Sequence, residues 1–205
     1  LVQDGGYSRV PGVCEYDWSA VSFFYELLAV AGRGWMRFLG FRSASVQGDR
    51  AQVELWKRLG VRSVLSMKGL RINTVQGPLA RVRVDLADMP DVALPFIVAC
   101  CLREVPFRVS GLGTLRIKEC DREEALVREL GKLGFPLRRE DEGVLAWDGE
   151  RVPPVSLVID SHGDHRVAMA FAAAGLVFPG LVIRDAEVVD KSFPGFWEEI
   201  APLLR

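Results

Sequence analysis

Two short stretches concentrate charge in a pattern suited to holding an anion and moving a proton beside it. The first is Arg116-Ile117-Lys118-Glu119-Cys120-Asp121-Arg122 and the second is Gly163-Asp164-His165-Arg166; Asp190-Lys191 repeats the theme further on. Each stands at the head of an apolar or amphipathic run that reads as a helix. Acids suit a helix's first turn, where the dipole is positive. Bases do not, unless an anion shares the free backbone N–H groups with them. Lys118, Arg122, Arg166 and Lys191 are therefore candidate anion-binding residues. Guanidinium forks match phosphate and carboxylate oxygens bidentately, and lysine adds a point charge. Asp91, Glu119 and Asp164 are the acids expected among them. Other uses of these side chains stay open at this level. Glu119 and Asp121 could simply pair with Lys118 and Arg122 in a capping network, and Asp91 reads equally as a plain N-cap. His165 fits capping or packing as well as proton transfer, and His162 in the loop before it carries little information.

The charged openings recur. Asp17-Trp18-Ser19, Met89-Pro90-Asp91 and Gly163-Asp164-His165-Arg166 each lead into an apolar helical run, with 74 residues from Asp17 to Asp91 and 73 from Asp91 to Asp164. A second knot follows each: Gln47-Gly48-Asp49-Arg50, then the stretch from Lys118 to Arg122, then Asp190-Lys191-Ser192-Phe193, with 72 residues from Asp49 to Asp121 and 73 from Lys118 to Lys191. The period is too long for a solenoid of roughly 20–50 residues per repeat. It reads as one supersecondary unit used three times, near 15–75, 80–148 and 155–205. That arrangement puts equivalent loops at one end of the molecule and makes their charge converge. The first copy offers Asp17 and Asp49-Arg50 without a comparable basic cluster, so it is expected to supply structure, with the role of Arg50 open.

The elements that must position these residues follow from periodicity and punctuation. In the first copy, residues 1–14 read as the tail of a strand and a loop. A buried helix runs from an Asp17 or Ser19 cap to about residue 31, and 35–39 is a short strand. Asp49 then caps an amphipathic helix over 50–59, followed by strands at 61–65 and 70–74. The second copy has a strand at 80–86, a buried helix at 91–102 with Pro95 near its tolerant first turn, and a strand at 107–110. An amphipathic helix at 119–133 and a hairpin of 135–139 with 143–147 complete it. The third has strands at 155–159 and 181–184, a buried helix at 164–177 and a last helix at 194–204. The pattern predicts an α/β domain of three repeated βαβ-type units, with buried helices and outer sheets.

Composition narrows the class. The 205 residues are 49% apolar and 26% charged, with a net charge of −1. A general nucleic-acid binder would carry a basic face, so none is expected as a partner. No apolar run reaches the ~18 residues that a spanning helix needs, and no signal peptide is visible. Cys14, Cys100, Cys101 and Cys120 show no metal-ligand or redox spacing, which favours a reducing, cytoplasmic setting and argues against a metal. The chain begins with Leu1 in mid-pattern and reads as a piece of a longer protein.

The motifs together resemble the enolpyruvyl transferase family. Asp17-Trp18-Ser19-Ala20, Gln47-Gly48-Asp49, Met89-Pro90-Asp91, Leu115 through Arg122, Asp164-His165-Arg166-Val167-Ala168-Met169-Ala170 and Lys191-Ser192-Phe193-Pro194 appear in the family's order over almost the whole chain. The K-E-x-D-R and D-H-R-x-A-M pair resembles the shikimate-directed branch more than the branch acting on UDP-N-acetylglucosamine. The resemblance implies a two-domain parent, of which residues 1–205 would be the single C-terminal domain, with the active site between the halves. It implies transfer of the enolpyruvyl group of phosphoenolpyruvate to the 5-hydroxyl of shikimate 3-phosphate, with release of phosphate. The route would be addition then elimination, with neither metal nor organic cofactor. By the same resemblance Asp91 is the proton acceptor near the 5-hydroxyl and binds the shikimate moiety. Lys118 contacts shikimate 3-phosphate, Glu119 takes part in proton transfer, and Arg122, Arg166 and Lys191 hold phosphoenolpyruvate. Thr114 stands where Asn is common and Cys120 where Ser or Thr is usual. The family's other half, which supplies a further lysine and arginine, is expected to be needed for turnover. A non-catalytic anion-binding module is the competing reading, and a purely structural repeat domain the third.

Overall fold

Asp17 starts the first helix. Its carboxylate accepts from the Ser19 amide at 2.7 Å, and α1 (Trp18–Ala31) runs until Gly32 takes φ 66° and ends it. The geometry is that of a computed structural model, which describes residues 14–77 and 80–204. The strand tail expected before residue 14 therefore lies outside the described residues. Helix α1 is apolar on nearly every side, and Trp18, Val21, Phe23, Tyr25, Leu27 and Leu28 are all buried, as a helix without a polar face requires.

The first unit continues with β1 (Trp35–Phe38), α2 (Gln52–Leu55), β2 (Val61–Ser66) and β3 (Gly69–Thr74), whose strands form an antiparallel sheet in the order β1-β3-β2. The continuous helix expected over 50–59 is instead one α turn between two 3₁₀ turns, Gly48–Ala51 and Trp56–Leu59. Asp49 does not cap it. Its carboxylate accepts from the Ser19 hydroxyl, while the Gln47 side chain spans the Trp18 amide and the Tyr16 carbonyl, each at 2.9 Å. The start of α1 thus claims the polar groups that a regular helix would have used as caps. Trp56 still packs into the core. It stacks on Tyr25 with ring centres 5.6 Å apart and meets Phe96 edge-on at 5.4 Å.

The second unit is the most complete. It comprises β4 (Val82–Asp85), α3 (Ala93–Leu102), β5 (Phe107–Ser110), α4 (Arg122–Lys132), β6 (Arg138–Asp141) and β7 (Val144–Trp147), with strand order β4-β5-β7-β6. Strands β4 and β5 are parallel across α3, giving the expected βαβ unit, and every residue of α3 is buried. Helix α4 begins later than residue 119. Asp121 is its N-cap, accepting from the Glu124 amide at 2.9 Å, so Lys118 and Glu119 stand in the loop ahead of the helix. The third unit holds β8 (Val158–Asp160), α5 (His165–Ala172), β9 (Val182–Arg184) and α6 (Phe196–Ile200), with β8 and β9 parallel. Lys191 closes a 3₁₀ turn, Ala186–Lys191, that precedes α6.

Helices α1, α3 and α5 pack on one another, and strands such as β2 and β4 alternate between buried and exposed positions. This is the three-unit α/β architecture with internal helices. Two glycines let loops of different units meet. A Cβ on Gly48 would lie 2.8 Å from the Asp88 carbonyl oxygen, and one on Gly111 only 2.3 Å from the Ala87 nitrogen. Both contacts bear on the loop that leads to Asp91, so the first and second units close on it from two sides.

One core position breaks the apolar rule. Glu26 of α1 is fully buried, and neither carboxylate oxygen has a hydrogen-bond partner among the described residues. Burial pushes its carboxyl well above the ordinary value of 4.5, because an unpaired charge there would lack both water and a counter-ion. The folded state keeps this proton while the unfolded chain releases it near pH 4.5, so Glu26 costs stability increasingly as pH rises above that value. Glu26→Met is therefore expected to be more stable than the parent at pH 8. The advantage should shrink towards pH 5 by about 1.4 kcal/mol per pH unit while the folded carboxyl stays protonated. Urea denaturation across that range measures it, and a difference flat in pH would contradict it.

Candidate active site

Arg122 sits in the first turn of α4 with its side chain 1% exposed, so its charge needs partners within the protein. It has three. Nε and Nη2 donate to the two oxygens of Asp164 at 2.7 and 3.2 Å, Nη1 donates to Asp91 at 3.0 Å, and Nη2 also donates to Glu119 at 2.8 Å. Asp164 is itself fully buried. Burial alone would lower the Arg122 pKa, yet the bonds it donates to Asp164 and the charge of the neighbouring carboxylates raise it.

Each acid brings a further cation. Asp91 lies 3.4 Å from the Lys118 ammonium and 3.4 Å from an Arg166 guanidinium nitrogen. Glu119 accepts from Lys191 Nζ at 2.8 Å. The loops of the second and third units therefore bring Asp91, Lys118, Glu119, Arg122, Asp164, His165, Arg166 and Lys191 into one cluster. It is graded in depth. Asp164 and Arg122 form the floor, Asp91 and Glu119 are about a quarter exposed at 27% and 28%, and Lys191 at 58% forms the rim.

The structure separates capping from other roles. Asp91 lies in the 3₁₀ turn Pro90–Val92 and makes no cap; its carboxylate faces the cations. Burial acts to raise its pKa, but Arg166, then Lys118 and Arg122, outweigh burial and hold it below the ordinary value. Asp164 does cap α5, accepting from the Arg166 amide at 2.8 Å, while it also holds Arg122. Lys191, by its hydrogen bond, lowers Glu119 to about 2. His165 is nearly buried, its Nδ1 without a hydrogen-bond partner and 3.9 Å from Glu119. Burial lowers its pKa further than Asp164 and Glu119 raise it, so the imidazole is neutral at pH 7.

The first unit contributes more than scaffold. Asp49 feels both Asp91 and Arg166, although burial is the main cause of its raised pKa. The signal was the Gln47-Gly48-Asp49 knot, whose glycine permits the approach to Asp88. Cys120 also joins the floor, with Sγ 3.7 Å from Asp164 and its pKa pushed up to about 12, chiefly by burial and then by that carboxylate. A thiol so held is not a nucleophile at neutral pH.

Comparison with known proteins bears on the fold and the family. The fold is similar to that of the EPSP synthase from Acinetobacter baumannii, with a TM-score of 0.67 and 20% identity over 90% of this chain and 44% of that one. The description of the EPSP synthase family (3-phosphoshikimate 1-carboxyvinyltransferase) matches residues 5–200. The chain belongs to that family. It is 40% identical over 201 residues to the 3-phosphoshikimate 1-carboxyvinyltransferase of Bacteroides fragilis strain YCH46, a match covering 98% of this chain and 49% of the relative. A 38% match over 189 residues to the Syntrophobacter fumaroxidans enzyme of the same name covers 92% and 44%. The chain thus spans about half the length of the curated relatives it matches.

Two outcomes follow from the ion network. Lys191→Met is expected to move the Glu119 titration up from about 2 towards 4.5, read by carbon-13 NMR of the side-chain carboxyl. Because the folded pKa is the depressed one, Glu119 stabilises the fold above pH 4.5 and loses that effect as pH falls towards 2. Removing Arg122 strands the buried Asp164. Arg122→Ala should cost about 3–5 kcal/mol in urea denaturation, and a loss below about 1 kcal/mol, the scale of an exposed pair, would show that the cluster is not a buried one.

Proposed function

We propose that this chain is the C-terminal half of a 3-phosphoshikimate 1-carboxyvinyltransferase. The whole enzyme would transfer the enolpyruvyl group of phosphoenolpyruvate to shikimate 3-phosphate and release phosphate. The observation that carries the reading is Asp91, a half-buried carboxylate that caps nothing and stands among Lys118, Arg122 and Arg166. A proton acceptor beside an anion site has to look like this: ionised, within reach of a hydroxyl, and flanked by cations that fix the substrate.

The residues divide the work as follows. Arg122, Arg166 and Lys191 hold phosphoenolpyruvate, and Lys118 holds the phosphate of shikimate 3-phosphate. Asp91 takes the proton of the 5-hydroxyl as its oxygen bonds to the central carbon of phosphoenolpyruvate. Glu119, which takes up a proton from solvent once Lys191 has left it, delivers that proton to the methylene carbon and makes it a methyl group. In the second step the methyl returns a proton to the Glu119 carboxylate, the double bond re-forms, the C–O bond breaks as phosphate leaves, and Asp91 gives up its proton to solvent. Lys191 engages Glu119 at 2.8 Å in the unliganded protein. Turning to phosphoenolpyruvate, it would release Glu119 and raise its proton affinity for the transfer. His165, neutral and 3.9 Å from Glu119, lines the same site.

The partner half would complete the anion site and close it. The setting we propose is cytoplasmic, supported by the four cysteines being unpaired. Among the described residues no helix is long and apolar enough to cross a membrane.

The test mixes this chain with its separately produced N-terminal half and follows phosphate release from phosphoenolpyruvate plus shikimate 3-phosphate. Release should need both halves and both substrates, and should fall by at least about 100-fold with Asp91→Asn, the scale of a lost general base. A mixture that demonstrably associates yet releases no phosphate would leave only an anion-binding domain.

A further inference from the structure

A second buried carboxylate, outside the cluster, lies behind the loop that carries Asp164 and Arg166. Glu129, in the last part of α4, is fully buried. Its Oε1 is 2.9 Å from His162 Nε2, and its Oε2 accepts from Lys132 Nζ at 2.6 Å and from the Asp160 amide at 3.1 Å. Lys132 Nζ also donates to the Val158 carbonyl at 3.3 Å. One carboxylate therefore ties α4 to the end of β8 and to the loop that leaves it.

That loop needs a tie. His162 takes φ 54°, a left-handed conformation uncommon for a residue with a side chain. The Asp160 carboxylate accepts from its amide at 2.7 Å, and the Ser161 carbonyl accepts from the Asp164 amide at 2.9 Å. The turn ends on Asp164, whose two oxygens hold Arg122 and whose Oδ1 caps the Arg166 amide. Helix α4 thus grips this loop at two points seven residues apart. Arg122 holds its catalytic end and Glu129 holds its base.

We infer that Glu129 and His162 are a positioning pair, which sets the loop at 160–163 and thereby the place of Asp164 and Arg166 in the anion site. Neither touches the reacting atoms. The carboxylate only accepts, so His162 Nε2 carries the hydrogen, and the bond orients the imidazole and pins the turn. An error of about 1 Å in a binding group is enough to cost rate. The catalytic part of this inference rests on the proposed synthase reading; the placement part does not.

The experiment uses the full-length protein that contains this half, with His162→Ala, His162→Gln and Glu129→Gln. His162 has a side chain 22% exposed, so its variants are expected to fold, which thermal unfolding checks. Hydrogen exchange at the Asp164 and Arg166 amides should speed up about tenfold in His162→Ala, the scale of one lost hydrogen bond to a charged group. His162→Gln, which restores a donor, should recover most of it. Glu129→Gln, keeping the shape but not the charge, should fall between. With phosphoenolpyruvate as the varied substrate, KM should rise several-fold in His162→Ala while kcat changes less, and His162→Gln should restore it. Unchanged exchange in a folded His162→Ala overturns the positioning claim whether or not the protein turns over. Faster exchange with unchanged KM limits the pair to local stability and overturns its link to the site. A parent protein without phosphate release defeats the synthase reading alone, and inorganic phosphate binding by the same variants then replaces KM as the readout.

Discussion

The site is organised around one buried guanidinium. A charge taken out of water loses several kcal/mol of hydration, and only good geometry with opposite charges offsets that. Arg122 recovers it from Asp164, Asp91 and Glu119 together. These acids come from three separate loops of two units, so the demand of one side chain fixes how the loops sit. Asp164 has no exposure at all, and without Arg122 it would be the stranded charge. The dependence is mutual: Arg122 and Asp164 fill the buried floor, while Lys118 and Lys191 stay accessible at the rim.

Helix α4 translates that constraint into a shape. Its first turn presents Arg122 to the carboxylates. The neighbouring Glu123, also buried, accepts from Arg116 Nη2 and Nε at 3.1 and 3.2 Å and forms an ion pair with Arg139 at 3.0 Å. That anchors the 3₁₀ turn Gly113–Ile117, from which Lys118 and Glu119 project. Two turns on, Glu129 anchors the opposite loop. The helix is amphipathic in the ordinary sense, with Ala125, Leu126 and Leu130 in the core. Three of its charged residues point inward nevertheless, each paired with a group from a different loop. Buried ion pairs are weak sources of net stability and good sources of unique geometry, and a site assembled from loops needs the geometry.

Legibility in the sequence divided along the same physical line. Features set by local chemistry were readable: the apolar buried helices α1, α3 and α5, the strand Phe107–Ser110, and the charge of the stretches around Lys118–Arg122, Asp164–Arg166 and Lys191, which the structure brings together. Features set by tertiary partners were not. Asp49 looked like a cap and became a tertiary acceptor for Ser19. The helix drawn from residue 119 starts at Arg122, because Asp121 caps it and Glu119 faces Arg122 and Lys191. Asp91, equally a cap or a reactive group by sequence, was resolved only by seeing where its carboxylate points. Glu129 and His162 had no signal at all, since a Glu in an amphipathic helix reads as a solvent-facing charge until the loop that buries it is in place.

The arrangement also offsets the repulsion among four cations brought into one site. Lys118, Arg122, Arg166 and Lys191 would repel one another if left alone. Asp91, Glu119 and Asp164 hold them apart and neutralise most of their charge. On the proposed function, an incoming phosphate or carboxylate would not create an electrostatic environment; it would exchange with carboxylates already there. The exchange is selective by depth. Arg122 keeps Asp164 on the buried floor, whereas the rim lysines can turn to a ligand at little cost because exposed pairs contribute little. On the proposed function, the two acids released in that exchange, Asp91 and Glu119, are the ones whose proton affinity would rise. Binding charge and readying the acids for proton transfer would in this way be one event, driven by the ligand's own negative charge.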